Sequence, residues 1–277
     1  MLGVRGSTPA PGHAFARHGG NTSCVGLAHD GVEPSLLLDA GTGLRGLGNL
    51  LGERPFRGAL LLGHLHWDHT QGLPFSRAID NDGAEVRLCL PEQDDGDVAI
   101  DVLRRAMSPP HFPIAPDGLL GDWSINGIGE GAHELEGFSV LAREIPHKGG
   151  RTFGYRVSSN GSDGATRSFA FLPDHSPTVR GDGPDGLGEV HEAALDLAAG
   201  ADVVIHGGQF TIDERDLAAA YGHATIEYAC RLAERAGAGE LLLVHHSPAR
   251  TDAQVDGLRR RYGSSVSFAV EGTVLDL

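Results

Sequence analysis

Hydrophobic positions along the chain fall into short period-two runs, which predict strands at 23–28, 35–39, 58–63 and 86–90. Further strands are predicted at 138–144, 152–158, 168–172, 202–206, 240–244 and 266–270. Between them, apolar residues recur at helical spacing over 44–51, 98–107, 189–199, 225–236 and 252–262. The second of these stops before Pro109 and Pro110, and 108–131 is rich enough in Pro and Gly to read as one long loop. Gly and Asp over 181–188 mark a flexible loop, yet no linker or internal repeat divides the chain. The order is β-rich with helices in both halves. It predicts an α+β sandwich of two mixed sheets packed face to face with helices outside, one domain spanning 1–277.

Composition narrows the possible roles. The 277 residues are 40% hydrophobic and 21% charged, a balance that excludes a disordered or coiled-coil chain. No apolar run approaches the ~20 residues that cross a bilayer, and the first residues lack the apolar core of a signal peptide. The expected compartment is the cytoplasm, and no membrane partner is expected. Three widely spaced cysteines, Cys24, Cys89 and Cys230, suit reduced structural thiols. A net charge of -15 opposes the coating of an extended nucleic acid, although a local cationic pocket could hold a small anionic substrate.

Chemistry concentrates just after the 58–63 strand. In LGHLHWDH (Leu62 to His69), His64, His66, Asp68 and His69 place four metal-capable groups within six residues at a strand's end. Mixed imidazole and carboxylate donors suit zinc, with manganese and iron as neighbours in preference. A polar surface loop explains one such histidine more simply than it explains the whole set.

This segment resembles the signature of the metallo-β-lactamase superfamily, and the likeness runs over nearly the whole chain. Within it, the chain is most similar to the ribonuclease Z and phosphodiesterase-like branch. That narrower likeness rests on GVRGSTP from Gly3, GGNTSC from Gly19, LDAGTG from Leu38, GHAT from Gly222 and VHHSP from Val244. The resemblance implies an αββα sandwich with two divalent ions at one edge. It implies that His147 joins His64 and His66 on one ion, and that Asp174 bridges both. Asp68, His69 and a C-terminal histidine would complete the second site; alignment on the following Ser-Pro favours His245 over His246. Asp39 would orient a ligand from behind.

The implied chemistry is hydrolysis by metal-activated hydroxide, with Asp68 holding the attacking water. His223 resembles the histidine that assists the leaving group in ribonuclease Z. Relatives place an acid after the histidine ending the preceding strand, where this chain has His206-Gly207. Lys148, the only lysine, is read either as a phosphate partner or as a solvated loop charge, and His175 as a pocket-lining residue. The segment 107–113 is expected to wall the site mouth, with a packing or surface role for His111. His13, His18, His29, His133 and His191 are expected at the surface.

The leading expectation is a phosphodiesterase acting on a small phosphodiester, such as a cyclic nucleotide or a short nucleotide end. A thioester, lactone or carboxyl-ester hydrolase is the alternative, and a non-catalytic metal-binding scaffold the third reading. β-Lactam hydrolysis fits the branch poorly. The resemblance also suggests a homodimer.

Overall fold

The structure is a computed structural model and describes residues 1–93, 98–161 and 163–277. One sheet contains β1 (Val25–Leu27), β2 (Leu36–Leu38), β3 (Arg57–Leu61), β4 (Glu85–Pro91) and β5 (Asp122–Ile128), side by side in that order. Its first pair is antiparallel and the remaining pairs are parallel. The other sheet contains β6 (Gly131–Leu135), β7 (Phe138–Glu144), β8 (Phe153–Asn160), β9 (Thr166–Leu172), β10 (Val203–Gly207), β11 (Glu240–Val244) and β12 (Ser267–Phe268). These seven also lie in sequence order, from β6 at one edge to β12 at the other. Pairing is antiparallel from β6 to β9 and parallel from β9 to β12.

Strand alternation explains the layers, because successive side chains leave opposite faces of a sheet. Phe169 and Phe171 of β9 point into the core between the sheets, where Leu36, Leu38, Leu61, Phe153 and Tyr155 are also buried. Ala170 and Leu172, one step out of phase, face the other way. There they pack under α4 (Glu192–Ala198), α6 (Ile226–Ala236) and α7 (Asp252–Tyr262). Leu37, Leu60 and Leu88 do the same on the first sheet, beneath α1 (Leu47–Leu50) and α3 (Ala99–Arg104). The result is the predicted helix–sheet–sheet–helix sandwich. Among the described residues, no helix is long and apolar enough to cross a membrane. The cysteines are unbridged, as expected, with Cys24 and Cys89 buried.

Several local expectations need correction. The 108–131 loop ends in β5, an edge strand whose half-buried Trp123 and Ile125 alternate with polar residues. β6 follows at the edge of the other sheet, and its short run with a single large apolar residue, Leu135, hides it. An additional helix, α5 (Arg215–Tyr221), stands before His223, preceded by a capping box between Thr211 and Glu214. Asp68 and His69 lie on a single helical turn, α2 (Trp67–Thr70), rather than in an open loop. His18 is buried, with Nε2 3.0 Å from Asp256 Oδ1, so it is not a surface residue.

Candidate metal centre

The predicted donors converge where strands from both sheets end. His64 to His69 follow β3, His147 follows β7, Asp174 follows β9 and His245 follows β11. Among the described residues, four groupings have ligand atoms within 4.8 Å of one another: His64–His66–His147, His64–His69–Asp174, Asp68–His69–His245 and His147–Asp174–His223. Asp174 Oδ2 lies 2.9 Å from His69 Nε2, and its Oδ1 lies 3.3 Å from His245 Nε2. His245 Nε2 is also 3.0 Å from Asp68 Oδ2. His147 donates from Nδ1 to the Gly222 carbonyl at 2.7 Å, which turns Nε2 toward His66 Nδ1, 3.4 Å away.

The backbone makes room for this crowding. A Cβ on Gly41 would fall 2.2 Å from the Asp68 carbonyl, and one on Gly6 would fall 2.1 Å from His245 Nδ1. Asp39 supports the cluster from behind while wholly buried. Its Oδ2 accepts from His69 Nδ1 at 2.7 Å and from Ser23 Oγ at 2.8 Å, and its Oδ1 accepts from the Gly63 N–H at 2.9 Å.

Electrostatics fit the donor set to a cation. Burial alone would lower the pKa of His69, but the carboxylates of Asp39, Asp68 and Asp174 overcome it and raise it well above the usual value. His245 is likewise raised by Asp174 and Asp68 against the effect of burial. Burial holds His64 well below the usual histidine value, and both its ring nitrogens lack a hydrogen-bond partner. Buried polar atoms left unpaired are costly, so an imidazole with both nitrogens bare at the centre of such a cluster has the chemistry of a ligand. The carboxylates that hold protons on His69 and His245 suit a divalent ion equally well. The residues therefore fit the expected metals.

Two alternatives left open by the sequence separate here. His246 turns away from the cluster, with Nε2 3.0 Å from the Ala269 carbonyl and its ring against Phe268. Lys148 Nζ donates to the Ala220 carbonyl at 2.9 Å, so its ammonium fastens a loop to α5. His175 is buried beneath the donors, with Nδ1 3.3 Å from His206 Nε2, and packs on Tyr228. It belongs to the layer under the site rather than to an open wall. In the 107–113 segment Phe112 meets Phe75 edge-on at 5.7 Å, while His111 is exposed.

His223 does reach the centre. Its Nδ1 is 3.3 Å from Asp174 Oδ1, and burial pushes its pKa down to about 3 despite that carboxylate. The acid missing at Gly207 is excluded sterically, since a Cβ there would lie 2.4 Å from the Pro173 carbonyl oxygen. Asp174 is thus the carboxylate beside His223. Sequence reasoning assigned no role to Arg5, Gly6 and Ser7, although GVRGSTP stood out as a motif. The Ser7 N–H donates to Asp68 Oδ2 at 2.6 Å.

Burial also lowers His206 from 6.5 to about 4. A histidine depressed in this way contributes stability that is complete above its unfolded pKa and is lost as pH falls toward the folded one. For the metal-free protein His206 should account for about 3 kcal/mol between pH 6.5 and pH 4. Urea midpoints across that window should fall less steeply for His206→Gln; an unchanged slope would refute the assignment.

A sandwich of two mixed sheets with clustered imidazole and carboxylate donors at its strand ends defines a metal-dependent hydrolase. Residues 35–246 match the family described as the beta-lactamase superfamily domain, and the chain belongs to that family. Ribonuclease Z of Limosilactobacillus fermentum is 29% identical over 228 residues, which cover 68% of this chain and 69% of that protein. The metallo-beta-lactamase fold protein YhfI from Bacillus subtilis superposes with a TM-score of 0.68 at 18% identity, covering 100% of this chain and 98% of that one. The short form of human tRNase Z gives 0.63 at 22% identity, covering 99% and 97%. These two structures establish the shared fold.

Proposed function

We propose that this chain is a two-metal phosphodiesterase acting on a small phosphodiester, such as a cyclic nucleotide or a short nucleotide end. The observation that most supports this reading is His223, held 3.3 Å from Asp174 at the rim of the donor cluster, where a leaving oxygen needs a proton. The 29% identity to a ribonuclease points to the same bond. The net charge of -15 favours a small substrate over an extended polyanion.

In this reading His64, His66 and His147 hold one ion, Asp68, His69 and His245 the other, and Asp174 stands between them. Five imidazoles and two carboxylates suit zinc best, with manganese or iron as substitutes. Bound ions supply Lewis acidity and charge to offset the negative phosphate. Asp68, one oxygen fixed by the Ser7 N–H, accepts the proton of the attacking water. His223 lies with Nδ1 3.3 Å from Asp174. As a neutral imidazole it would carry its one proton on Nε2, give it to the departing oxygen, and be reprotonated at the expense of the proton that Asp68 takes from the water. Lys148 is left out of substrate binding, because its ammonium serves the Ala220 carbonyl.

The bare Gly207 position favours a second reading, a thioester, lactone or carboxyl-ester hydrolase, most directly for a thioester, whose thiolate leaves with less help from an acid–histidine pair than an alkoxide does. Turnover of bis(p-nitrophenyl) phosphate by zinc- or manganese-loaded protein tests the choice. Turnover is expected, and Asp68→Ala should eliminate it. Metal-loaded protein that ignores the phosphodiester but hydrolyses a thioester or lactone would establish the second reading instead.

A further inference from the structure

We propose that Arg5–Gly6–Ser7 is a positioning strap for the Asp68–His69–His245 half of the metal centre, acting on two donors without offering a ligand atom itself. The inference rests on the reading of those residues as metal ligands.

Arg5 is wholly buried, an expensive place for a guanidinium unless its N–H groups are matched. Its Nε donates to the Gly19 carbonyl at 2.7 Å, and Nη1 donates to the carbonyls of Ser247 at 3.1 Å and Arg250 at 2.8 Å. Nη2 reaches Asp252 Oδ1 at 3.2 Å. Three of these four acceptors lie on the chain just beyond His245, so the planar fork fixes how that chain leaves the site.

His245 itself sits at φ 55, a left-handed conformation that a bulky residue keeps only when its surroundings enforce it. Two backbone bonds hold the next residue, His246, to the strap and its neighbour Val4. The Gly6 N–H donates to the His246 carbonyl at 3.1 Å, and the His246 N–H donates to the Val4 carbonyl at 2.9 Å. Gly6 then lies flat against the His245 ring, where a Cβ would stand 2.1 Å from Nδ1 and 2.2 Å from Cε1. Its backbone is outside the positive-φ region, so glycine is required here for space rather than for conformation.

One residue further on, the Ser7 N–H holds Asp68 Oδ2 at 2.6 Å, and that same oxygen is 3.0 Å from His245 Nε2. Ser7, at φ 64, turns the chain to make this contact, and Gln209 Nε2 donates to its Oγ at 3.2 Å. Three consecutive residues therefore set the position of His245 from one side and of Asp68 from the other. Ligand distances at a metal tolerate only ~0.2 Å, which makes such a strap consequential.

Zinc equilibrium dialysis on the full chain tests this, with the visible spectrum of the cobalt(II) form as a second readout. Wild-type protein is expected to bind two ions. Gly6→Ala and Arg5→Lys should keep one at wild-type affinity and weaken the other by about 10–100-fold, the range for lost ligand support. Leu232→Ala, a buried site on α6, supplies a control with reduced thermal stability and both ions retained. The inference is overturned if Gly6→Ala binds both ions as wild type does, or if Leu232→Ala weakens the second ion by the same factor. Gly6→Ala carries the test should the Arg5 variant not fold. Wild-type protein that binds no zinc would overturn the reading of the site, and the strap with it.

Discussion

Asp174→Asn is expected to lower phosphodiester turnover by on the order of 10³-fold, the scale of losing a central charged group in a buried site. Asp174 is 2% exposed and reaches both halves of the donor cluster, with Oδ2 2.9 Å from His69 and Oδ1 3.3 Å from His245 on one side and 3.9 Å from His147 on the other, and His223 also 3.3 Å from Oδ1. The amide keeps the shape and removes the charge, so the sandwich should still fold while five neighbouring imidazoles lose a shared anion. Histidines that this carboxylate helps keep protonated, His69 and His245, should then titrate lower in the metal-free protein. Paired measurements of turnover and bound metal separate the possibilities. Loss of both is expected, and turnover within tenfold of wild type would remove Asp174 from the site.

Asp39→Asn should weaken metal binding by about 10–100-fold while leaving much of the turnover recoverable at saturating metal. Asp39 offers no ligand atom, but it accepts the Nδ1 proton of His69 and so presents Nε2 to the cluster. An amide can offer its nitrogen in that place and favour the wrong tautomer. Asparagine is the suitable probe, because Asp39 sits at φ 62, where asparagine is tolerated and alanine is strained. A metal titration followed by turnover at saturation tests it; wild-type affinity would show that His69 is oriented by packing alone.

The sequence resolved the sandwich well wherever a strand was buried. α7 falls at Asp252–Tyr262 and β11 at Glu240–Val244, the spans that periodicity predicts. Edge strands β5 and β6 escaped, because an edge buries one side at most and needs few apolar residues to do so. The local metal motif was readable because four donors are adjacent in the chain. His147, Asp174 and His245 were reachable only through resemblance, since they lie in three separate loops and spacing gives no reason to join them. Least visible were contacts made by the backbone. The Ser7 N–H on Asp68 and the pressure of Gly6 on His245 leave no mark in side-chain chemistry beyond a glycine.

Asp68 and His245, which meet at 3.0 Å, are 177 residues apart. During synthesis the first four donors emerge early, yet their partners exist only once β9 and β11 have been made and both sheets have closed. The complete donor set is therefore assembled late and depends on a nearly complete chain. A nascent or truncated chain ending before β11 would carry the most recognisable part of the motif and still lack His245, the partner that Asp68 meets in the finished fold.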